Sequence, residues 1–242
     1  MDASAPPSTE SRGDDHEAGV TLERRSGTVL GHSGPMTQIE IPRPTSGDVL
    51  ERILEDHRLF EDLLREARRT DTDRAAARDA LAEVLVAHAT AEEEKVYPTL
   101  RTKRAITAHD EEHGEEEHAE IIEALLEFIR AKGTDTQKYD DTLEELATVV
   151  NHHSNEEEQT ILNPAREDVA LERREELGIA WLTRRNQLLE EGCASEEQVA
   201  AKLDEAVGEG VLAPEEAREE ADEIEDEAKK KAKAVEEAAK KD

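Results

Sequence analysis

The feature that most constrains the fold is a repeat: two parts of the chain carry the same stripe of apolar, histidine and glutamate residues. Shifting the first stripe by 65 residues gives the second, so that Leu81, Val84, Leu85, His88, Glu92 and Val96 become Leu146, Val149, Val150, His153, Glu157 and Ile161. Positions three or four residues apart lie on one face of an α-helix. The repeat therefore predicts an all-α protein with two related halves.

Apolar spacing predicts four long helices in total. They run from about Asp48 to Arg69, Thr72 to Tyr97, Ile106 to Ala131 and Gln137 to Leu162. Ser46 or Asp48 is expected to cap the first helix, and Gly133 to follow the third. Pro98 and Pro164 are expected to end the second and fourth. Four such helices with short connections are typical of an up-down-up-down four-helix bundle, and aromatic residues at only 2% favour an aliphatic core.

The flanking segments differ from the bundle in composition. We predict a disordered tail at 1–45, the bundle domain at 46–165, an accessory helix at 166–192 and a charged helical or disordered tail at 193–242. The accessory helix is expected to pack on the outside of the bundle, with apolar positions at Leu171, Leu177, Ala180, Trp181 and Leu188. A Ser-x-x-Gln pattern predicts a short helix from Ser195 to about residue 207.

Charge and cysteine content restrict the partners and the location. With 62 acidic and 31 basic residues, the net charge is −31, which argues against nucleic acid or anionic membrane as a partner and favours attraction of cations. No apolar run is long enough to span a membrane, and the first residues do not resemble a signal peptide. Cys193 is the one cysteine, which excludes an intramolecular disulfide and fits a cytoplasmic location.

Histidines and glutamates on the apolar stripes indicate a metal site. Each predicted helix places one histidine on its buried face, and two of the helices add a glutamate; the set is His57, His88, Glu92, His118, His153 and Glu157. A buried carboxylate without a partner is costly, and a metal ion would remove that cost. Imidazole and carboxylate donors without a thiolate favour iron or manganese over a cysteine zinc site. The alternative is a set of core histidines that are hydrogen-bonded to glutamates.

The fourth helix leaves two ligand pairs open. His152 and His153 are adjacent, and each has a glutamate four residues later, at Glu156 or Glu157. Helical periodicity favours His153 with Glu157, because His153 follows the apolar stripe. By the same argument His109 and His113 should not reach the metal, although both could lie near an entrance.

Together these motifs resemble the hemerythrin-like, HHE cation-binding domain over about residues 47–165. The resemblance rests on a lone histidine, a His-x-x-x-Glu helix that continues to Tyr-Pro, a second lone histidine and a His-His-x-x-Glu-Glu-Glu helix. It implies a non-haem di-iron centre inside a four-helix bundle. By the resemblance, the terminal ligands are His57, His88, His118 and His153, and the bridging carboxylates are Glu92 and Glu157.

One position departs from the pattern of the oxygen-carrying hemerythrins. Those proteins place a second ligand histidine one turn before the equivalent of His118, where this chain has Gly114. We therefore expect one iron position to be open, or filled by water or by another carboxylate such as Glu61. An open position favours reaction with oxygen, peroxide or nitric oxide over reversible oxygen carriage.

Three functions remain in competition. The first is a di-iron protein that binds oxygen, peroxide or nitric oxide, or reacts with them as an oxidoreductase, in sensing or detoxification. The second is the binding, oxidation and storage of iron by an acidic bundle, although Glu-x-x-His pairs typical of ferritin-like proteins are absent from the inward stripes. The third is a non-catalytic protein whose acidic tail binds a basic partner.

Overall fold

The computed structural model describes residues 39–213, which form helices and connecting segments without a β-strand. The helices are α1 (Val49–Arg68), α2 (Arg74–Ala91), α3 (Tyr97–Lys103), α4 (Ala108–Arg130), α5 (Gln137–Glu157), α6 (Asn163–Asp168), α7 (Leu171–Glu191) and α8 (Glu196–Glu209). Two π-helical turns, Glu92–Val96 and Glu158–Leu162, join α2 to α3 and α5 to α6. No helix in this part of the chain is both long and apolar enough to cross a membrane.

The long helices form the predicted four-helix bundle. Helix α1 packs against α2 and α5, and α4 packs against α5 and α2. Leucine, isoleucine, valine and alanine fill most of the interior. The buried aromatic residues include Phe128 and Tyr139, which contact each other, and Phe60, which contacts His57. The all-α bundle is therefore confirmed.

The ends of several helices follow the predicted capping chemistry. Asp48, one of two candidate caps for α1, accepts a hydrogen bond from the backbone N–H of Leu50. Ser195 and Gln198 form the predicted capping box at the start of α8. Such side chains satisfy backbone N–H groups that have no partner within the helix.

The prediction that proline ends the second and fourth helices is wrong. The chain continues helically past Pro98 to Lys103 and past Pro164 to Asp168. In each case a π-helical turn precedes the proline, and the N–H of Tyr97 bonds to the carbonyl of Glu92 five residues back. Proline lies in the first turn of the next segment, where its missing N–H breaks no bond.

Residues 39–45 differ from the predicted disordered tail, because they lie against α7 although they have no regular secondary structure. Arg43 donates a hydrogen bond to the carbonyl of Leu189, and the carbonyl of Pro42 accepts one from Arg185. These bonds order a segment that has little apolar periodicity of its own. The rest of the predicted N-terminal tail, residues 1–38, lies outside the described residues, as do residues 214–242 of the C-terminal tail.

Helix α7, the predicted accessory helix, packs against α1, α2 and the first π-helical turn. It approaches the start of α1 closely, since a Cβ atom on Gly178 would lie 2.0 Å from the carbonyl oxygen of Gly47. Trp181 is buried as expected, but Leu171 is 49% exposed because it begins the helix at the surface. Ala180 is also exposed, so the prediction that Leu171 and Ala180 belong to the buried face of α7 is wrong.

Helix α8 lies in the segment predicted to be a charged tail, and it packs against α4. Val199 and Leu212 are fully buried, and the N–H of Cys193 donates to the carboxylate of Glu83 on α2. A few apolar side chains therefore attach a mostly charged helix to the bundle.

Candidate metal centre

Four histidines from the four bundle helices meet in the interior. His57 and His88 have ring centroids 5.4 Å apart, and those of His118 and His153 are 4.6 Å apart. The two pairs are joined by His57 and His153, with centroids 6.3 Å apart. All four side chains are almost completely buried. The structure thus brings together the four histidines that the sequence places on apolar stripes.

Glu92 and Glu157 lie between the histidines and are fully buried. The Nε2 atoms lie within 4 Å of a glutamate oxygen: His88 to Glu92 3.1 Å, His118 to Glu92 3.4 Å, His57 to Glu157 3.2 Å and His153 to Glu157 3.9 Å. Each glutamate therefore faces one histidine of its own helix and one histidine from the other half of the repeat.

The outer nitrogen of every one of these histidines contacts a second carboxylate. The Nδ1 pairs are His57 with Glu158 at 3.1 Å, His88 with Asp56 at 3.2 Å, His118 with Glu93 at 2.8 Å and His153 with Glu117 at 3.0 Å. A proton on Nδ1 would donate to these carboxylates and leave the Nε2 lone pair directed inward. Histidines that bind metals usually have such a carboxylate or carbonyl behind them.

Several inward atoms of the cluster are buried without a hydrogen bond. They are Nε2 of His57, His88 and His153, both carboxylate oxygens of Glu92 and Oε2 of Glu157. Leaving such atoms unpaired is costly, and nearly all buried polar atoms in proteins have partners. Since the unpaired atoms are all possible metal donors, the residues fit a bound cation.

The donors divide into two overlapping groups. One contains His57, His88, His153 and Glu157, and the other contains Glu92, His118 and His153; within each group the donor atoms all lie within 4.8 Å of one another. All of these residues are buried, and His153 belongs to both groups. The arrangement offers two adjacent positions, and the single inward lone pair of His153 Nε2 can bind an ion in either of them but not in both.

The glutamates change the protonation of two of the histidines. Burial lowers the pKa of His57, but contacts with Glu157 and Glu158 outweigh it and raise the pKa to about 9. In the same way, Glu92 and Glu93 overcome the burial of His118 and raise its pKa to about 10. Both imidazoles are therefore protonated on both nitrogens, and positively charged, at neutral pH while no metal is bound.

We expect two consequences of these raised pKa values. Metal binding at pH 7 should release protons from His57 and His118, because a metal ligand must be deprotonated, and an indicator dye in weak buffer would detect the release.

Metal-free protein should lose stability as the pH rises. The folded pKa of each histidine lies above the unfolded value, so the stabilisation is complete below about pH 6.5 and is lost as the pH passes about 9–10.

The pH prediction has a direct test by thermal melting of metal-free protein. A melting temperature that is lower at pH 9.5 than at pH 6.5 agrees with it. Equal or rising stability over that range, or metal binding at pH 7 without proton release, would show that these histidines are neutral in the metal-free protein.

Tyr97 fills the space next to Gly114. Its hydroxyl donates to Oε1 of Glu157 at 3.1 Å and lies 3.5 Å from Nε2 of His118. A Cβ atom on Gly114 would lie 3.1 Å from the same hydroxyl oxygen. The phenol therefore occupies the space that a larger side chain at position 114 would need.

Glu61, which the sequence suggested as a further metal donor, is exposed on the outer face of α1, so that suggestion was wrong.

Sequence reasoning missed Tyr97 because of the π-helical turn. Tyr97 follows Glu92 by five residues, which in an α-helix would turn it away from the stripe. The π-helical bond from Tyr97 to Glu92 brings both to the same face. A tyrosine followed directly by proline, after a buried glutamate, was the available clue.

The four outer carboxylates also follow a repeated pattern that could have identified them. An acid directly precedes each lone histidine, as Asp56 and Glu117, and another directly follows each buried glutamate, as Glu93 and Glu158. The acids that precede the lone histidines contact the histidines of the neighbouring helices, His88 and His153. In a chain so rich in acidic residues, these positions did not stand out without the structure.

Arg185 of α7 adds a fixed charge behind His88. Its guanidinium donates to both oxygens of Asp56, at 2.6 and 2.7 Å, and the pair is almost fully buried. Burial alone would raise the pKa of Asp56, but His88 and Arg185 outweigh it and lower the pKa. The accessory helix thereby takes part in orienting His88.

The competing pair on α5 lies outside the cluster. The side chain of His152 is 64% exposed, whereas those of His153 and Glu157 are buried. Glu156 is at the surface beside His113, with 3.2 Å between its Oε1 and Nε2 of the histidine. His109 is exposed. The geometry therefore favours His153 with Glu157 as the inward pair.

A cavity of about 310 Å³ lies beside the centre, between α2, α4 and α8. His118 and Glu93 lie in its wall, and Lys202 of α8 lies on the other side. The remaining polar lining is mostly acidic: Glu94, Glu115, Glu205 and Glu209. Small molecules or cations that enter this cavity would meet the wall formed by His118 and Glu93.

The family comparison agrees with this geometry. The family model described as Hemerythrin HHE cation binding domain matches residues 48–165. This chain contains a hemerythrin HHE domain. The match begins just before α1 and ends within α6, so it includes all the inward histidines and glutamates, whereas α7 and α8 lie beyond it. Neither the curated proteins nor the solved structures gave a significant match.

Proposed function

We propose that this HHE domain holds two iron ions and reacts with small oxidants, either dioxygen, peroxide or nitric oxide, in sensing or detoxification. The observation that supports it best is the orientation of the four imidazoles, each with Nε2 directed inward and Nδ1 on a carboxylate. The residues that would hold the ions are those of the two overlapping donor groups: His57, His88, Glu92, His118, His153 and Glu157.

The donor chemistry supports iron over a structural zinc ion. Four imidazoles and two carboxylates surround the centre, and the one cysteine, Cys193, lies instead against Glu83. Structural zinc sites usually include thiolates and close at four ligands, whereas mixed imidazole and carboxylate sites suit redox-active iron. Iron, when bound, would supply the electrons and the open coordination position that small oxidants require.

The surrounding residues control access to the centre. The cavity beside His118 is the proposed entry for small molecules, while Phe60 and Trp181 pack against His88. Burial and the nearby carboxylates raise the pKa of Tyr97 well above its usual value, so its hydroxyl keeps its proton and remains a hydrogen-bond donor toward Glu157. The cytoplasmic location stays a prediction that rests on the single cysteine.

Metal analysis of aerobically purified protein tests the proposal. We expect about two irons per chain and ferric absorption in the near ultraviolet that changes when peroxide or nitric oxide is added. Zinc or no metal after growth in iron-replete medium would refute it. Iron that is present but unresponsive to every oxidant would leave the metal site standing and remove the proposed reactivity.

The acidic lining of the cavity also favours the second candidate, uptake and oxidation of ferrous iron. Carboxylates such as Glu93 and Glu115 would attract cations toward His118. The two functions differ in how much iron the protein retains. Incubation with excess ferrous iron and air, followed by desalting, should leave about two irons in the oxidant-reacting protein and many more in a storage protein.

A further inference from the structure

The two halves of the centre differ at one carboxylate. In the first half, Asp56 accepts a hydrogen bond from His88 and is also paired with the guanidinium of Arg185. In the second half, Glu117 holds the equivalent place and accepts from Nδ1 of His153 through Oε2 at 3.0 Å. Its ion-pair partners among the described residues are histidines, and no fixed cation corresponds to Arg185.

The second oxygen of Glu117 lacks a hydrogen bond. Glu117 is only 5% exposed, yet its Oε1 has no hydrogen-bond partner among the described residues and lies 3.6 Å from Nε2 of His152. A buried carboxylate oxygen without a partner is costly. At Asp56 the guanidinium of Arg185 removes that cost. No side chain of the described residues supplies the corresponding fixed positive charge at Oε1 of Glu117.

Further metal donors surround this position at the surface of α4 and α5. Glu156 contacts His113 through Oε1 at 3.2 Å and His152 through Oε2 at 3.3 Å. His113, Glu117 and Glu156 each present one donor atom, and these atoms lie within 4.8 Å of one another. His113 and Glu156 are partly exposed, so an ion can reach them from solvent. The Nδ1 atom of His113 lies 3.8 Å from a carboxylate oxygen of Glu116.

We propose that this outer cluster is a second metal site, which binds one divalent transition-metal ion through His113, Glu117 and Glu156, with His152 as a fourth donor. The ion would give Glu117 the positive charge that Arg185 gives Asp56. Two imidazoles with two carboxylates favour ions such as Zn²⁺ or Mn²⁺ over Mg²⁺ or Ca²⁺, which prefer oxygen ligands. The site does not depend on which metal occupies the interior.

Calorimetric titration of the iron-loaded full chain with Zn²⁺ tests the outer site, with excess Mg²⁺ present to occupy surface carboxylates. We expect one Zn²⁺ site in the unmodified protein. The double variant His113→Ala/His152→Ala and the single variant Glu156→Gln should each weaken it by at least roughly tenfold. His109→Ala is the matched control. The ring of His109 stacks on that of His113, with 6.2 Å between the ring centroids, but His109 is not among the proposed donors.

Iron content and near-ultraviolet absorption of every variant should equal those of the unmodified protein, since the replaced residues lie at the surface. Equal Zn²⁺ affinity in the double variant, or an equal loss in His109→Ala, would overturn the outer site. If the interior fails to hold iron, iron content is low in all variants, but the difference in Zn²⁺ binding between them persists. The two proposals can therefore fail separately.

Discussion

Replacing Arg185 with alanine should destabilise the protein by roughly 3–5 kcal/mol, because it leaves Asp56 as an uncompensated buried charge. The side chain of Arg185 is only 1% exposed and that of Asp56 8%. The same change should weaken metal binding, since Asp56 holds Nδ1 of His88. Thermal or urea unfolding of metal-free protein measures the first effect, and iron content after desalting measures the second.

Arg184→Ala is the control, because Arg184 is the neighbouring residue and pairs with Glu94 at the surface. That exposed pair is worth only about 0–1 kcal/mol. The double variant Asp56→Asn/Arg185→Met removes both buried charges and should recover most of the lost stability. If Arg185→Ala unfolds like Arg184→Ala, the buried pair does not hold α7 to the bundle.

Arg185 shows what apolar periodicity leaves out. The sequence of α7 correctly placed Leu177, Trp181 and Leu188 in the interface, because hydrophobic residues at helical spacing mark a buried face. It gave no reason to bury an arginine in the middle of that face. The partner, Asp56, lies on a helix more than a hundred residues earlier, and nothing local to either residue records the pairing.

The bundle helices were predictable because each carries its own stripe and its own cap. Their extent was not, since the two π-helical turns carry the chain past Pro98 and Pro164. A π-helical turn depends on one extra residue in a hydrogen-bonded ring, and its sequence pattern is weak. The same turn brings Tyr97 to the metal centre, so one local feature explains both the wrong helix end and the missed side chain.

The inward histidines and glutamates were predictable for a different reason. A polar group on an apolar stripe conflicts with burial unless it has a partner, so His88 or Glu157 marks a site even without a structure. The outer carboxylates carry no such conflict, because an acidic residue at a helix surface is ordinary in this chain. Only the structure shows that Glu117 turns inward to His153 and outward to the surface cluster.

Replacing His153 with alanine should remove at least one of the two proposed irons. Nε2 of His153 lies within donor distance of both groups, and its one lone pair would bind one of the two ions, so its loss removes a ligand from that position. It also leaves Oε2 of Glu117 without its hydrogen bond, at a cost of about 1–3 kcal/mol. Iron analysis and the melting temperature of the aerobically loaded protein measure these effects.

His152→Ala is a control that differs by one position in the sequence. The side chain of His152 is 64% exposed and contacts Glu156 and Glu117 from outside, so the variant should keep its iron and its near-ultraviolet absorption. Because a bound ligand stabilises only the folded state, iron should raise the melting temperature of His152→Ala as much as that of the unmodified protein, and that of His153→Ala much less. Equal iron loss in both variants would mean that the assignment of His153 to the inward face of α5, and of His152 to the outward face, is wrong. Loss in His152→Ala alone would identify His152 and Glu156 as the ligand pair.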